Sequence, residues 1–244
     1  MQEISSVSNE KVKDLIKLSD KKYRDNSGLV LIEGYKIFLE AIKAKAEIVE
    51  IFVTKNELEK VDLKGFKNIT LIGDKVSEKL SFNKTSQNFF AVIKKLEKNF
   101  DDKRFLILDN IQDPQNLGAI IRTSVACDVK KLYLLNCVDV YNDKVIRASM
   151  GNIFKVCCEK IDLKNLKEKV KNHVIYCADM DGENVFSLTN KPDNFGLILG
   201  NEGQGVSDEV KALSNKTISI PMKNDVESLN VAVSCGIILY NLVF

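Results

Sequence analysis

The stretch LILGNEGQGV, residues 197–206, runs from apolar residues into three glycines and holds a carboxylate, Glu202, inside the turn. Its spacing is G-x-x-G-x-G at Gly200, Gly203 and Gly205, not the G-x-G-x-x-G that cradles a pyrophosphate, and it comes late in the chain. A strand ending in glycines lets another molecule approach its backbone, and Glu202 could face a cation or a hydroxyl there. Two further stretches carry comparable groups. In DPQNLGAIIRTS, 113–124, Pro114 and Asn116 mark a turn and a helix start. Gly118 lies one turn before Arg122, so the guanidinium has room to reach back over that loop. In ISIPMKNDVESLNVAV, 218–233, Pro221 stops a strand, and Ser228 and Asn230 stand where a terminal helix begins. Taken singly, each stretch also reads as ordinary structure: a tight turn, a helix cap such as Ser228, a surface arginine.

Composition narrows the chemistry. The single histidine, His173, ends a charged helical pattern and reads as a solvated or helix-end residue, which excludes mechanisms that need two histidines. The six cysteines form no C-x-x-C pair, so free thiols in a reducing compartment are expected, with no metal site. No apolar run reaches the roughly 20 residues of a membrane span, and the first residues lack the apolar core of a secretion signal, so a cytoplasmic location is expected. Net charge is +2, yet residues 1–100 hold 19 Lys/Arg against 15 Asp/Glu, whereas residues 101–244 hold 17 against 19. The segment 11–24 alone has six basic residues and two acidic ones, which suits either a phosphate-binding surface or a solvated helix face. Tryptophan is absent, and no base-stacking platform is suggested.

Elements that would position these residues alternate along the chain. Strands are predicted at 28–34, 48–54, 68–73 and 89–96, with helices between them, one carrying Phe38, Ala41 and Ile42 on a common face. A charged stretch, 97–104, fits a boundary. Beyond it, strands at 105–109, 131–136, 173–179, 195–200 and 217–221 alternate with helices at 116–127 and 142–151. A terminal helix follows, with Leu229, Val233, Gly236, Ile237 and Tyr240 as its packing stripe. Such alternation predicts α/β halves with parallel or mixed sheets.

Taken in order, N-L-G-A-I-I-R-T, G-N-E-G-x-G and I-P-M…E-S-L-N-V closely resemble the three signature motifs of the SpoU (TrmH-type) RNA 2′-O-ribose methyltransferases of the SPOUT superfamily. The segment R-A-S-M-G, 147–151, resembles a further family segment, and LVLIEGYKIFLEAI resembles the family's N-terminal substrate-binding domain. The resemblance implies an α/β protein with a C-terminal Rossmann-like domain, 103–244, threaded as a deep trefoil knot. A small N-terminal α/β ribosomal-protein-like domain, 1–98, would bind RNA. It also implies a homodimer without metal that acts on RNA, with ribosomal RNA favoured and transfer RNA the alternative. A competing reading is a non-catalytic RNA-binding protein that uses the basic N-terminal segment, and the five polar motif residues argue against it. S-adenosyl-L-methionine would lie against Ala178, Gly200, Ile220, Met222 and Leu229. Asn116, Arg122, Glu202, Ser228 and Asn230 match the family's reaction-centre positions. The chain departs from the family at 125–129, where Asp128 takes a helix-terminating glycine's place, a left-handed position that Asp tolerates. Ala232 and Ser234 are also exchanged relative to the usual third motif.

Overall fold

The computed structural model describes residues 3–101, 103–224 and 226–244. The chain forms two compact units, Met1–Leu96 with Tyr141–Phe154, and Glu97–Val140 with Lys155–Phe244.

In the first unit the elements run β1 (Glu3–Ile4), α1 (Glu10–Lys17), α2 (Lys21–Ser27), β2 (Leu29–Glu33), α3 (Tyr35–Lys43), β3 (Ile48–Val53), α4 (Lys55–Leu58), β4 (Ile69–Ile72), α5 (Asp74–Leu80) and β5 (Phe89–Lys94). Asn9, Asp20 and Thr54 cap the helices that follow them, each accepting a hydrogen bond from a first-turn N–H. The sheet order is β1-β4-β3-β5-β2, and it is mixed: β5 runs antiparallel to both β2 and β3. Val12, Leu15, Phe52, Val76 and Phe90 make its core on one side. The basic segment 11–24 is partly neutralised, with Lys21 and Lys22 exposed and without an ion pair among the described residues. Lys11 pairs with Glu50, Lys13 with Glu10 and Lys17 with Asp14, while Arg24 is buried and donates to the carbonyls of Leu18 and Ser19.

The remaining elements are β6 (Arg104–Asp109), α6 (Pro114–Ala126), β7 (Lys131–Leu135), α7 (Asp143–Ala148), β8 (Cys157–Lys160), α8 (Leu163–Val170), β9 (Val174–Asn184), β10 (Phe195–Leu199), α9 (Asp208–Lys211), β11 (Lys216–Ser219) and α10 (Val231–Val243). Of these, α7 folds with the first unit. The second sheet, β11-β9-β10-β6-β7-β8, is parallel throughout. Strands β6, β7 and β10 are almost continuously buried, as expected where helices cover both faces of a parallel sheet. From β6 the chain winds outward to β7 and β8, then returns to β9 and β10 on the other side. The strand order therefore reverses between β6 and β10, and open α/β sheets bind ligands beyond the carboxyl ends of the strands at such a point.

One sequence expectation is corrected by the structure. The stripe Leu229, Val233, Tyr240 does not pack inside the chain: Val233 and Tyr240 are 50% and 53% exposed. The buried face of α10 is Val231, Cys235, Ile238, Leu239 and Leu242, about half a turn away, and it packs toward α6. A helix apolar on all sides leaves its facing ambiguous to periodicity. Strands β1 and β8 also escaped the pattern, being two and four residues long without an apolar run. The Asp128 expectation holds, with φ of 57° just after α6 ends.

Candidate active site

The three motifs meet at the switch point. Helix α6 is capped by Asp113, whose carboxylate accepts from Gln115 N at 2.8 Å, with Pro114 at the first helical position. Asn116 is therefore not the cap but a residue of the first turn, largely buried, and its side chain is released for another task. Its Nδ2 donates to Glu202 Oε1 at 2.8 Å, and its Oδ1 accepts from Asn230 Nδ2 at 2.9 Å. Asn230 in turn caps α10, its Oδ1 accepting from Ala232 N at 3.0 Å and Val233 N at 3.3 Å. That makes Asn230, and not Ser228, the N-cap. The order of donors leaves no freedom: each amide is oriented by the next, from the α10 backbone to the Glu202 carboxylate.

The glycine-rich loop is stitched to the end of β6. Asn201 Nδ2 donates to the Asn110 carbonyl at 2.9 Å, and Ser207 N donates to the buried Asp109 carboxylate at 2.8 Å. Asn201 Oδ1 accepts from Gly203 N and Gln204 N, and Asn201 pairs with Gly205 across the turn. A Cβ on Gly200 would collide with the backbone of Gly205 and Val206. The close approach that this glycine permits is thus the chain's own fold-back. Asp109, Asn110 and Asn201 carry the architecture of the loop without having been expected from sequence. A polar residue closing the buried run FLILD was the available signal.

The positions expected to hold a cofactor gather at the same end of the sheet. Gly200 directly follows β10, and Ala178 follows the last β9 residue that pairs with β10. On β9 the residues 178–182 intervene between Cys177 and Glu183, whose partners Thr217 and Ile218 are adjacent on β11. Their peptide groups thus stand outside that ladder, with Ser219 Oγ donating to the Gly182 carbonyl at 2.7 Å. Ile220 and Met222, partly buried, continue from β11, and Leu229 adjoins the cap Asn230. Half-open apolar side chains beside peptide groups free of ladder pairing fit a nucleoside, whose ring is apolar on its faces and hydrogen-bonding at its edge. Asp179, beside Ala178, pairs with Lys211 at 2.6 Å, and that hydrogen bond holds its carboxyl below the usual range.

Arg122 and Ser228 stand apart from the bonded chain. Both are exposed, and their side chains form no hydrogen bond among the described residues. His173 is also elsewhere, its ring edge-on to Phe105 at 5.0 Å. No group of metal-ligating side chains occurs among the described residues, and all six cysteines are free.

With this geometry in place, comparison with known proteins is direct. Residues 103–240 match the SpoU rRNA Methylase family, and residues 9–91 match the MRM3-like substrate binding domain. The chain is 30% identical over 246 aligned residues to the 23S rRNA (guanosine(2553)-2′-O)-methyltransferase RlmP of Bacillus subtilis, covering 99% of both chains. It is 28% identical to the 23S rRNA (adenosine(1067)-2′-O)-methyltransferase of Streptomyces azureus, covering 90% of this chain and 88% of that one. Its fold matches the AdoMet-bound rRNA methyltransferase from Sinorhizobium meliloti with a TM-score of 0.87 at 22% identity, covering 99% and 97% of the two chains. The chain belongs to the SpoU rRNA methylase family.

Proposed function

We propose that the protein transfers a methyl group from S-adenosylmethionine to a ribose 2′-hydroxyl of 23S ribosomal RNA, with residues 103–244 catalytic and residues 1–98 binding RNA. The observation that carries this reading is the Glu202–Asn116–Asn230 chain, one side chain from each motif, joined at the switch point of a parallel sheet. The substrate class follows the two relatives named above, both 23S rRNA 2′-O-methyltransferases.

Bound S-adenosylmethionine supplies an electrophilic methyl group, held by Ala178, Gly200, Ile220, Met222 and Leu229. The chain's own residues align the hydroxyl and manage its proton. Glu202 has one oxygen committed to Asn116, and its other oxygen has no partner among the described residues and can accept from the ribose hydroxyl. Ser228, exposed and two residues before the α10 cap, adds a second contact to the sugar. Arg122 cannot serve as a base, because a guanidinium has a pKa above about 12 and stays charged in proteins. An exposed, unpartnered guanidinium suits the phosphate beside the target ribose, where its charge also stabilises the developing alkoxide. A phosphate oxygen or water then takes the proton. Positioning of this kind supplies several of the roughly 7–11 kcal/mol available from proximity.

The exposed α10 stripe supports a homodimer, since Val233, Tyr240 and Phe244 offer an apolar face on the side away from the core. A trefoil-knotted C-terminal segment belongs to the same reading and follows from the resemblance of the three motifs to the SpoU signature. No helix among the described residues is long and apolar enough to cross a membrane, and the cytoplasm is the compartment suited to an RNA substrate of this kind.

The deciding experiment incubates the protein with labelled S-adenosylmethionine and 23S rRNA transcribed in vitro, then maps ribose methylation. One modified 2′-hydroxyl is expected. Methylation of transfer RNA alone would move the substrate, and calorimetric binding of NAD in place of S-adenosylmethionine would end the reading.

A further inference from the structure

The first unit holds a buried carboxylate that its core does not need. Glu33, the last residue of β2, is 3% exposed. Its Oε1 accepts from Ser81 Oγ at 2.7 Å and Gln87 N at 3.0 Å, and its Oε2 from Phe82 N and Asn83 Nδ2, both at 3.0 Å. A buried carboxylate is tolerated only when fully hydrogen-bonded, and all four donors here belong to residues 81–87, which connect α5 to β5. The loop is fastened again from α7: Arg147 donates to Asn83 Oδ1 and, through its other terminal nitrogen, to Asp143 Oδ2 at 2.9 Å. Gly34, with φ of 101°, completes the seat, because a Cβ there would run into the Gln87 amide.

A surface loop fixed so thoroughly presents a set shape. It presents Lys84, Thr85 and Gln87 to solvent. Lys84 has no ion-pair partner among the described residues, and neither does Lys36, exposed on α3 two residues past Gly34. This contrasts with Lys11, Lys13 and Lys17, whose charges are met by carboxylates. Lys84 and Lys36 therefore add unpaired positive charge beside the fastened loop, as the exposed Lys21 and Lys22 do in the basic segment.

We propose that loop 81–87 is the element by which the first unit engages the RNA backbone, with Lys84 and Lys36 on phosphates and Glu33 and Arg147 as positioning residues that hold the loop. The proposal rests on the reading of the protein as an RNA methyltransferase. Glu33 acts through the loop and touches no RNA. Its replacement by Gln leaves one oxygen to serve four donors, so the loop loses its set shape while the catalytic chain around Asn116 is untouched.

The test is a double-mutant cycle on the full-length protein. Wild type, Lys84→Ala, Glu33→Gln and the double variant are compared for affinity to 23S rRNA transcribed in vitro across a KCl series, with KM and kcat for methyl transfer. Lys84→Ala should raise KM for RNA about threefold to tenfold and flatten the salt dependence by about 0.7–0.9 in log–log slope, one phosphate contact, with kcat within about twofold. Glu33→Gln should do the same, and the double variant should be no worse than the single ones, because both remove one contact. Should Glu33→Gln fail to fold, Asn83→Ala takes its place in the cycle. Wild-type KM and salt slope in Lys84→Ala, or simple additivity in the double variant, would overturn the proposal. Failure of the wild type to bind S-adenosylmethionine would instead count against the methyltransferase reading itself.

Discussion

Asn116 and Asn230 lie 114 positions apart in sequence and are joined by a side-chain hydrogen bond of 2.9 Å. That bond lets a backbone feature, the open N-terminus of α10, orient a carboxylate on a different loop. Asn116 is the pivot, donating on one side and accepting on the other.

Replacing Asn116 tests the pivot. Asn116→Ala should lower kcat for methyl transfer by about 10- to 100-fold, in line with losing a preorganised polar contact. Asn116→Asp should be worse, because it sets a second negative charge against Glu202 and removes the donor. Rates with labelled S-adenosylmethionine, beside its calorimetric Kd, separate turnover from cofactor binding.

Asn230 has two duties that substitution can separate. Asn230→Asp keeps an acceptor for the α10 N–H groups but loses the donor to Asn116, so thermal stability should hold while activity falls. Asn230→Ala loses both and should also cost about 1 kcal/mol of stability, the usual worth of a cap. Equal melting temperatures for the two variants would contradict this division.

Arg122→Lys keeps the charge and loses the forked geometry. If the residue binds phosphate, weakened but measurable activity with a raised KM for RNA is expected. Complete inactivity at unchanged RNA affinity would point to a role in the proton transfer.

Away from the site, Glu159 receives Lys131 at 2.6 Å and Lys169 at 3.3 Å. Burial works to raise its pKa, but the hydrogen bond and charge of Lys131 outweigh it, and the carboxyl ends below its ordinary value. A carboxyl depressed in the folded state contributes stability above its unfolded pKa and loses it as pH falls through the folded one. Acid unfolding below about pH 4.5 should therefore be shallower in Glu159→Gln than in wild type. Urea melts between pH 7 and pH 3 provide the comparison.

On α10, Tyr240→Asp places a charge on the exposed stripe without touching the buried face. Light scattering should show a dimer for wild type and a monomer for the variant. A wild-type monomer at all concentrations would leave the stripe without its partner.

Much of this architecture is legible in sequence. Buried parallel strands such as FLILD and FGLIL announce themselves as short apolar runs closed by polar residues or glycine. Motif order alone groups Asn116, Glu202 and Asn230, and the hydrogen bonds that join them follow that grouping. What stays hidden depends on long-range partners. Asn116 reads as a cap until Asp113 is seen to take that post. Lysines 11, 13 and 17 read as a basic patch until their carboxylates are found, two of them on the same helix. The facing of α10 is undecidable from a segment apolar all round.

The segment Tyr141–Phe154 is flanked on both sides by strands of the second unit, yet it folds into the first. Val145, Ile146, Ile153 and Phe154 are buried, and Tyr141 reaches the backbone of Leu96. No single cut separates these parts. A fragment beginning at residue 103 would carry a naked apolar tongue, and one ending at residue 98 would be missing a wedge of its interior.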